Sequence, residues 1–266
     1  MPEPESGLDF RRGMIDRRLA GAKRVLLVMS GKGGVGKSVV SAALAGIVAA
    51  SGLKAGLLDA DIYGPSSALL FGAKGLPAEG ESGLIPPNFG GVKVMSVDLF
   101  ASGRPIPLAG SGANEILIEL MALTDWGSLD CLVVDMPPAT GDIMLTLTSL
   151  RKDDVGAVVV TMPDRLSISV AHRVLELLEG GGVTTVGVLG NMVRRSPKEK
   201  DTRPRSLADE FGVPLLGLLP YDPSVSRAVE KGNIEALLRT QFARGLRRSM
   251  SDYLLSMRRS STHSLR

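Results

Sequence analysis

One cysteine, Cys131, stands among the 266 residues, which excludes an intrachain disulfide framework and makes a reducing, cytoplasmic setting the expectation. Long apolar runs are missing too. None approaches the roughly 18 residues of a membrane-spanning helix, and residues 1–23 hold no signal-peptide core. That opening mixes Glu3, Glu5, Asp9 and Asp16 with Arg11, Arg12, Arg17 and Arg18 and reads as a loosely ordered leader. The two histidines, His172 and His263, lie far apart with no metal-binding spacing. No internal repeat or low-complexity segment is found. Net charge is only +3, but residues 239–266 hold seven arginines against one acid, Asp252. This tail therefore carries +6 and the remainder −3. Against these shortages, 44% hydrophobic and 22% charged residues suit a folded chain with a sizeable core.

The feature around which the chain is organised is Ser30-Gly31-Lys32-Gly33-Gly34-Val35-Gly36-Lys37-Ser38. It lies between an apolar run that reads as a buried strand and an alanine-rich run that reads as a helix. Gly31, Gly33, Gly34 and Gly36 permit backbone angles that let successive N–H groups converge on phosphate oxygens. Lys37 adds charge at the β- and γ-phosphates, and the Ser38 hydroxyl is placed to ligate Mg²⁺. The helix N-terminus offers its positive dipole end to the same anion. Lys32 is a second lysine inside the loop. It suits a finger reaching the phosphates of a nucleotide bound by another subunit, and it also suits a solvated loop position.

Short apolar runs alternate with helical stretches, the pattern of a doubly wound, mostly parallel α/β sheet with helices on both faces. Strands are expected over 24–29, 55–59, 92–97, 131–135, 157–161, 186–190 and 215–219. Helices are expected over 38–50, 114–123, 143–150, 168–178, 206–210, 225–231 and 234–257. This divides the chain into the leader, one domain over 24–233, and a basic amphipathic helix and tail over 234–266. The stretches 72–91 and 193–204, rich in Gly, Pro or charge, read as functional loops.

Two strands end on carboxylates. In Leu58-Asp59-Ala60-Asp61-Ile62-Tyr63-Gly64-Pro65-Ser66, Asp61 suits a group that orients the water attacking a γ-phosphate, and Asp59 suits support of a Mg²⁺ shell. An acid in this position also suits a helix cap. In Cys131-Leu132-Val133-Val134-Asp135-Met136-Pro137-Pro138-Ala139-Thr140-Gly141-Asp142, Asp135 is the expected Mg²⁺ partner through a water. The turn beyond it suits a switch that senses the γ-phosphate.

Together these three segments resemble the Mrp/Nbp-type iron–sulfur carrier ATPases of the MinD/ParA class, which carry a deviant Walker A P-loop. The resemblance runs over residues 24–232 and takes in Gly190-Asn191-Met192 and Pro220-Tyr221-Asp222-Pro223. It implies an ATPase that works as a homodimer with ATP and Mg²⁺ held between subunits. In it Lys32 acts across the interface, Asp61 serves the attacking water, Asn191 recognises adenine, and Pro220 and Asp222 contribute to nucleotide binding. It further implies partners in iron–sulfur cluster assembly or reception. Three departures stand out: Val39 replaces the usual Thr after Ser38, Ala139 replaces a Gly, and 193–204 lacks the family's Cys-x-x-Cys pair.

With two cysteines per dimer, four cluster thiolates are not available, and Cys131 reads as a buried thiol. The basic loop 193–204 lacks interleaved aromatic residues, so nucleic acid is not the expected partner. The tail spaces Leu238, Phe242, Leu246, Met250, Leu254 and Met257 helically among arginines. That pattern suits either a closing helix packed on the sheet or peripheral contact with an anionic membrane. A MinD/ParA-like positioning ATPase on a membrane or DNA is therefore the alternative function.

Overall fold

Side chains of the central strand divide between two core layers, with Val25, Leu27 and Met29 in one and Leu26 and Val28 in the other. This two-sided burial is why the strand reads as an unbroken apolar run rather than an alternating one. The computed structural model describes residues 7–101, 112–137, 155–194 and 202–263. In chain order the elements are α1 (Gly7–Leu19), β1 (Val25–Met29), α2 (Lys37–Ala50), β2 (Ala55–Asp59), α3 (Ser67–Phe71), β3 (Ala78–Gly80), β4 (Gly83–Ile85), β5 (Asn88–Phe89), β6 (Val92–Met95), α4 (Asp98–Ala101) and α5 (Gly112–Leu123). Then come β7 (Cys131–Asp135), β8 (Val155–Thr161), α6 (Arg165–Gly180), β9 (Thr184–Val193), α7 (Arg203–Glu210), β10 (Leu215–Pro220), α8 (Pro223–Glu230), α9 (Ile234–Leu238), α10 (Gln241–Ser249) and α11 (Ser251–His263).

All seven expected strands are present in one eight-stranded sheet of order β10-β9-β8-β1-β7-β2-β6-β5. Every pairing in it is parallel except β5 with β6. One core layer is covered by α1, α5, α6 and α7, the other by α2, α3 and α8 to α11. The stretch 72–91, expected as a loop, contains the antiparallel hairpin β3–β4 and the short β5. From β1 the chain crosses outward to β2 and β6, returns as β7 between β1 and β2, and continues as β8 on the other side of β1. The strand order thus reverses beside β1, where open α/β sheets place their ligands. Register pairs Val28 with Asp135 and Asp135 with Asp59, bringing the phosphate loop and both strand-end carboxylates to one edge.

Two expectations are corrected. The leader is ordered over α1, because Ile15 and Leu19, four residues apart on one helical face, are buried in the first core layer. Arg18 Nε donates to the Ala122 carbonyl (3.1 Å) and Arg18 also donates to the Ser82 carbonyl, tying α1 to the end of α5 and to the β3–β4 turn. The single helix expected over 234–257 is three helices, α9 to α11. Thr240, extended at φ −68° and ψ 161°, starts a new cap in which its Oγ1 accepts from the Ala243 N–H (3.1 Å), the N-cap geometry that interrupts one helix and begins the next. Phe242, Leu246, Met250, Leu254 and Met257 are buried in the second core layer. That stripe is therefore used inside the fold and does not face a membrane. Among the described residues, no helix is long and apolar enough to cross one. The expected helix 143–150, the switch residues Ala139 and Gly141, and loop residues 195–201 lie outside the described residues.

Candidate nucleotide site

The loop between β1 and α2 adopts the backbone its glycines allow. Gly34 and Gly36 sit at φ 81° and 85°, the left-handed region that side chains disfavour. At Gly31 a Cβ would come within 2.6 Å of the Val170 carbonyl oxygen, so the loop lies directly against α6. The Ser30 hydroxyl donates to the Lys32 carbonyl (3.2 Å), and Lys32 is exposed at the rim. Val35 is buried and Lys37 points inward. Lys37 Nζ is 2.5 Å from Asp135 Oδ1 and 3.4 Å from Ser38 Oγ.

Asp135 is wholly buried at the end of β7. Its Oδ1 meets Lys37 and also the Ser41 hydroxyl (2.8 Å), which is 3.0 Å from the Lys37 carbonyl as well. The other oxygen, Oδ2, is buried with no hydrogen-bond partner. An orphaned anionic oxygen near the Lys37–Ser38 pair is a donor set of the hard kind that Mg²⁺ and its waters take. Ser41 was not singled out from sequence. Its signal is a hydroxyl one helical turn after Lys37, in an otherwise apolar helix.

Asp59 closes the neighbouring loop on itself. Its Oδ1 accepts from the Asp61 N–H (3.1 Å) and its Oδ2 from the N–H groups of Ser66 and Ser67 (2.8 Å each). Burial, reinforced by the Asp135 charge, pushes its carboxyl up to about 6. With both oxygens used by three N–H groups and no exposure, Asp59 shapes the loop that presents Asp61. Asp61 is partly exposed and accepts from the Gly64 N–H (3.1 Å).

On the opposite side of the phosphate loop, Gly36, Val39, Asn191, Pro220 and Asp222 line one pocket together with Phe242. The structure thus gathers residues from four separated segments of the chain. Asn191 is 4% exposed, and its Nδ2 donates to the Val35 carbonyl (2.8 Å). Met192 follows at φ 54°, an unusual conformation for a residue with a Cβ and one that clusters at functional sites. Asp222 caps α8 by accepting from the Ser224 N–H (3.0 Å), and its second oxygen accepts from the Phe242 N–H (3.1 Å), which fixes α10 against the pocket. Met192 and Phe242 were missed from sequence.

The model of the NUBPL iron-transfer P-loop NTPase family, within the ParA group, matches residues 21–251. The chain belongs to that family. An iron-sulfur cluster carrier protein of Aquifex aeolicus is 36% identical over 228 residues, covering 81% of this chain and 62% of the relative. One from Synechocystis is 35% identical over 238 residues, 84% and 67%. One from Saccharolobus solfataricus is 34% identical over 230 residues, 82% and 78%. The chain thus spans 62% and 67% of the length of the first two relatives. The solved nucleotide-binding protein in complex with ADP from Archaeoglobus fulgidus superposes with a TM-score of 0.72 at 32% identity, covering 84% of this chain and 92% of its own. The cell division ATPase MinD of Pyrococcus furiosus, at 20% identity and a TM-score of 0.63, covers 87% and 98% and shares the fold.

This iron-transfer NTPase holds a single thiol. Cys131 opens β7 at the strand end opposite Asp135, roughly 13 Å away at the usual rise per residue. Burial, with the Asp130 charge adding to it and the Arg24 charge opposing it, pushes the thiol up to about 12. A four-thiolate cluster needs deprotonated sulfurs, and this family member offers one buried thiol per chain. Among the described residues, no group of three His, Cys, Asp or Glu is arranged to hold a metal ion. His172 instead joins α6 to α7, with Nε2 3.1 Å from Glu210 Oε1. One cysteine in the sequence and the groups among the described residues do not fit a four-thiolate cluster site. Cys131 is accordingly expected to resist iodoacetamide in the folded protein and to react once guanidinium unfolds it. Mass spectrometry showing native labelling at the rate of a free thiol would overturn its burial.

Proposed function

We propose that this NUBPL-family NTPase is a slow ATP-dependent switch that dimerises around Mg·ATP and serves iron–sulfur cluster assembly or transfer through a thiol-bearing partner. The observation that carries the reading is the buried Lys37–Asp135 pair beneath a glycine loop, with Asp135 Oδ2 left without a partner. In the proposed cycle, Lys37 exchanges Asp135 for the β- and γ-phosphates, and the loop N–H groups hold the same oxygens. Ser38 and Asp135 would hold Mg²⁺, which when bound would supply positive charge against that developing on the transferred phosphoryl group. Asp61, held out by the loop that Asp59 closes, orients the attacking water. Lys32, at the exposed rim, reaches the γ-phosphate bound by the second copy. The pocket lined by Val39, Asn191, Pro220 and Asp222 receives the base.

The cluster is cargo here rather than a resident cofactor. The names of the relatives support the cargo class, and the single buried thiol supports a partner that carries it. A cytoplasmic setting belongs to the same proposal. Positioning on a membrane by the C-terminal stripe is disfavoured, since its apolar residues are buried in the core.

Two measurements on the purified protein test the reading. Phosphate release should be slow and should rise with protein concentration more steeply than linearly, as a dimeric site requires. Anaerobic incubation with iron and sulfide should leave far less than one cluster per chain. Failure to bind ATP with Mg²⁺ at millimolar concentration would sink the switch. A stoichiometric cluster lost in Cys131→Ser would sink the division of labour with a partner.

A further inference from the structure

Between the proposed base pocket and the phosphate loop lies a side chain that hydrogen-bonds one while lining the other. Asn191, at the end of β9, lines the pocket with Val39, Pro220 and Asp222, and its amide donates to the carbonyl of Val35 inside the loop at 2.8 Å. We infer that Asn191 is a positioning residue for the phosphate loop, in addition to its place in the base pocket. The inference rests on the nucleotide-site reading above.

The geometry of one peptide unit carries it. The Val35 carbonyl and the Gly36 N–H belong to the same planar trans peptide, so they point in opposite directions. Holding the carbonyl toward Asn191 turns the Gly36 N–H away from β9 and into the phosphate cradle. Gly36 is the residue at which this matters most. It sits at φ 85° immediately before α2, where the backbone is free to rotate unless something holds it. A Cβ on Gly36 would lie 2.4 Å from Asn191 Nδ2 and 3.3 Å from the Met192 methyl, so the end of β9 is pressed directly on this glycine. Asn191 is itself fixed: it is 4% exposed, and the residue after it is held in a left-handed conformation. Beyond it, Val193 pairs with Pro220 of β10, and the Tyr221 N–H donates to the Val193 carbonyl at 3.1 Å. The pocket wall and the loop strut are thus one rigid piece. Donors that bind an anion well are those oriented before it arrives. Removing the Asn191 donor leaves a buried carbonyl unsatisfied and the peptide free to flip, with an effect of about tenfold on a binding constant.

The test separates this role from base contact by using a ligand without a base. Binding of ATP and of inorganic tripolyphosphate, each with Mg²⁺, is measured by calorimetry for wild type, Asn191→Leu and Asn191→Ala. Both replacements are neutral, so neither adds a charge that would repel phosphate. Ligand-free melting temperatures identify any variant too unstable to use, and two variants guard against the loss of one. The expected result is that tripolyphosphate weakens by about tenfold along with ATP. Amide hydrogen exchange in the peptide spanning Gly33 to Ser38 should also accelerate in the variants. If ATP weakens while tripolyphosphate stays within about twofold and exchange is unchanged, Asn191 acts on the base alone and the inference is overturned. If wild type binds neither ligand, the nucleotide-site reading itself fails, which is a different outcome from that one.

Discussion

Lys32→Ala is expected to lower ATP turnover by about a thousandfold while leaving ADP affinity within a few-fold of wild type. The size follows from what a cationic finger contributes to phosphoryl transfer, about three to five powers of ten. The direction follows from where Lys32 sits. Its backbone is fixed by the Ser30 hydroxyl, but its side chain is exposed at the loop rim and makes no contact with the buried pair below. It lies on the α6 side, where its charge, secondary to the hydrogen bond from the Ser167 hydroxyl, helps hold the Asp164 carboxyl below the usual range. A cation so placed serves a neighbouring molecule better than its own nucleotide.

Mixing tests which subunit it serves. Asp61→Ala is expected to be inactive alone, because it lacks the group that orients water. In a mixed dimer of Lys32→Ala and Asp61→Ala, one of the two sites receives Lys32 from one subunit and Asp61 from the other. By the symmetry of a two-fold dimer, an equimolar mixture should then recover about a quarter of wild-type turnover. Recovery is absent if Lys32 acts within its own chain. Full activity in Lys32→Ala would end the finger proposal.

The second large effect is on stability. Lys37→Met is expected to destabilise the nucleotide-free protein by about 3–5 kcal/mol, the usual consequence of stranding one member of a buried ion pair. Here the stranded group is Asp135, wholly buried and in register with Asp59, whose own carboxyl is already pushed up to about 6 by burial and by the Asp135 charge. Asp135 would then lack the cation it meets in the folded chain, with Asp59 on the adjacent strand. Ser41 remains as a donor to Asp135, so the loss is not total. The double variant Lys37→Met with Asp135→Asn should regain most of the stability, because no buried charge is left unpaired. Urea unfolding of the wild type, both single variants and the double variant measures this cycle. A single-variant loss below about 1 kcal/mol would show that the pair contributes little in solution.

The parts of the site that were legible in sequence are those whose chemistry is local. Glycine spacing before Lys37-Ser38 marks a phosphate loop because the backbone requirement and the charge requirement fall within nine residues. Seven strands were legible because each is a short apolar run, and the central ones, β1, β2, β7 and β8, are buried on both faces. The hold of Asp59 on its own loop was not legible, for the opposite reason. Its partners are the N–H groups of Ser66 and Ser67, and no pattern of residue types announces that a loop will fold back on a carboxylate. The same holds for Phe242, which lines the candidate pocket while its N–H donates to Asp222, twenty residues away. The helix expected over 234–257 failed first at Thr240, whose capping oxygen interrupts a pattern that periodicity alone reads as continuous, and again at Met250, which ends α10. Helix α1 was hidden by its own charges, since the apolar contact rests on Ile15 and Leu19 between paired arginines and acids.

Helix α2, which starts at Lys37, is covered on its outer side by α9 and α10. Gly46 lets that cover come close, since a Cβ there would lie 3.1 Å from the Leu238 side chain. On the ribosome the phosphate loop emerges early, while the segment that covers its helix is made on the order of ten seconds or more later. Until then α2 presents an apolar flank to solvent or to a chaperone. Capture of nucleotide is therefore expected only once synthesis has passed α10.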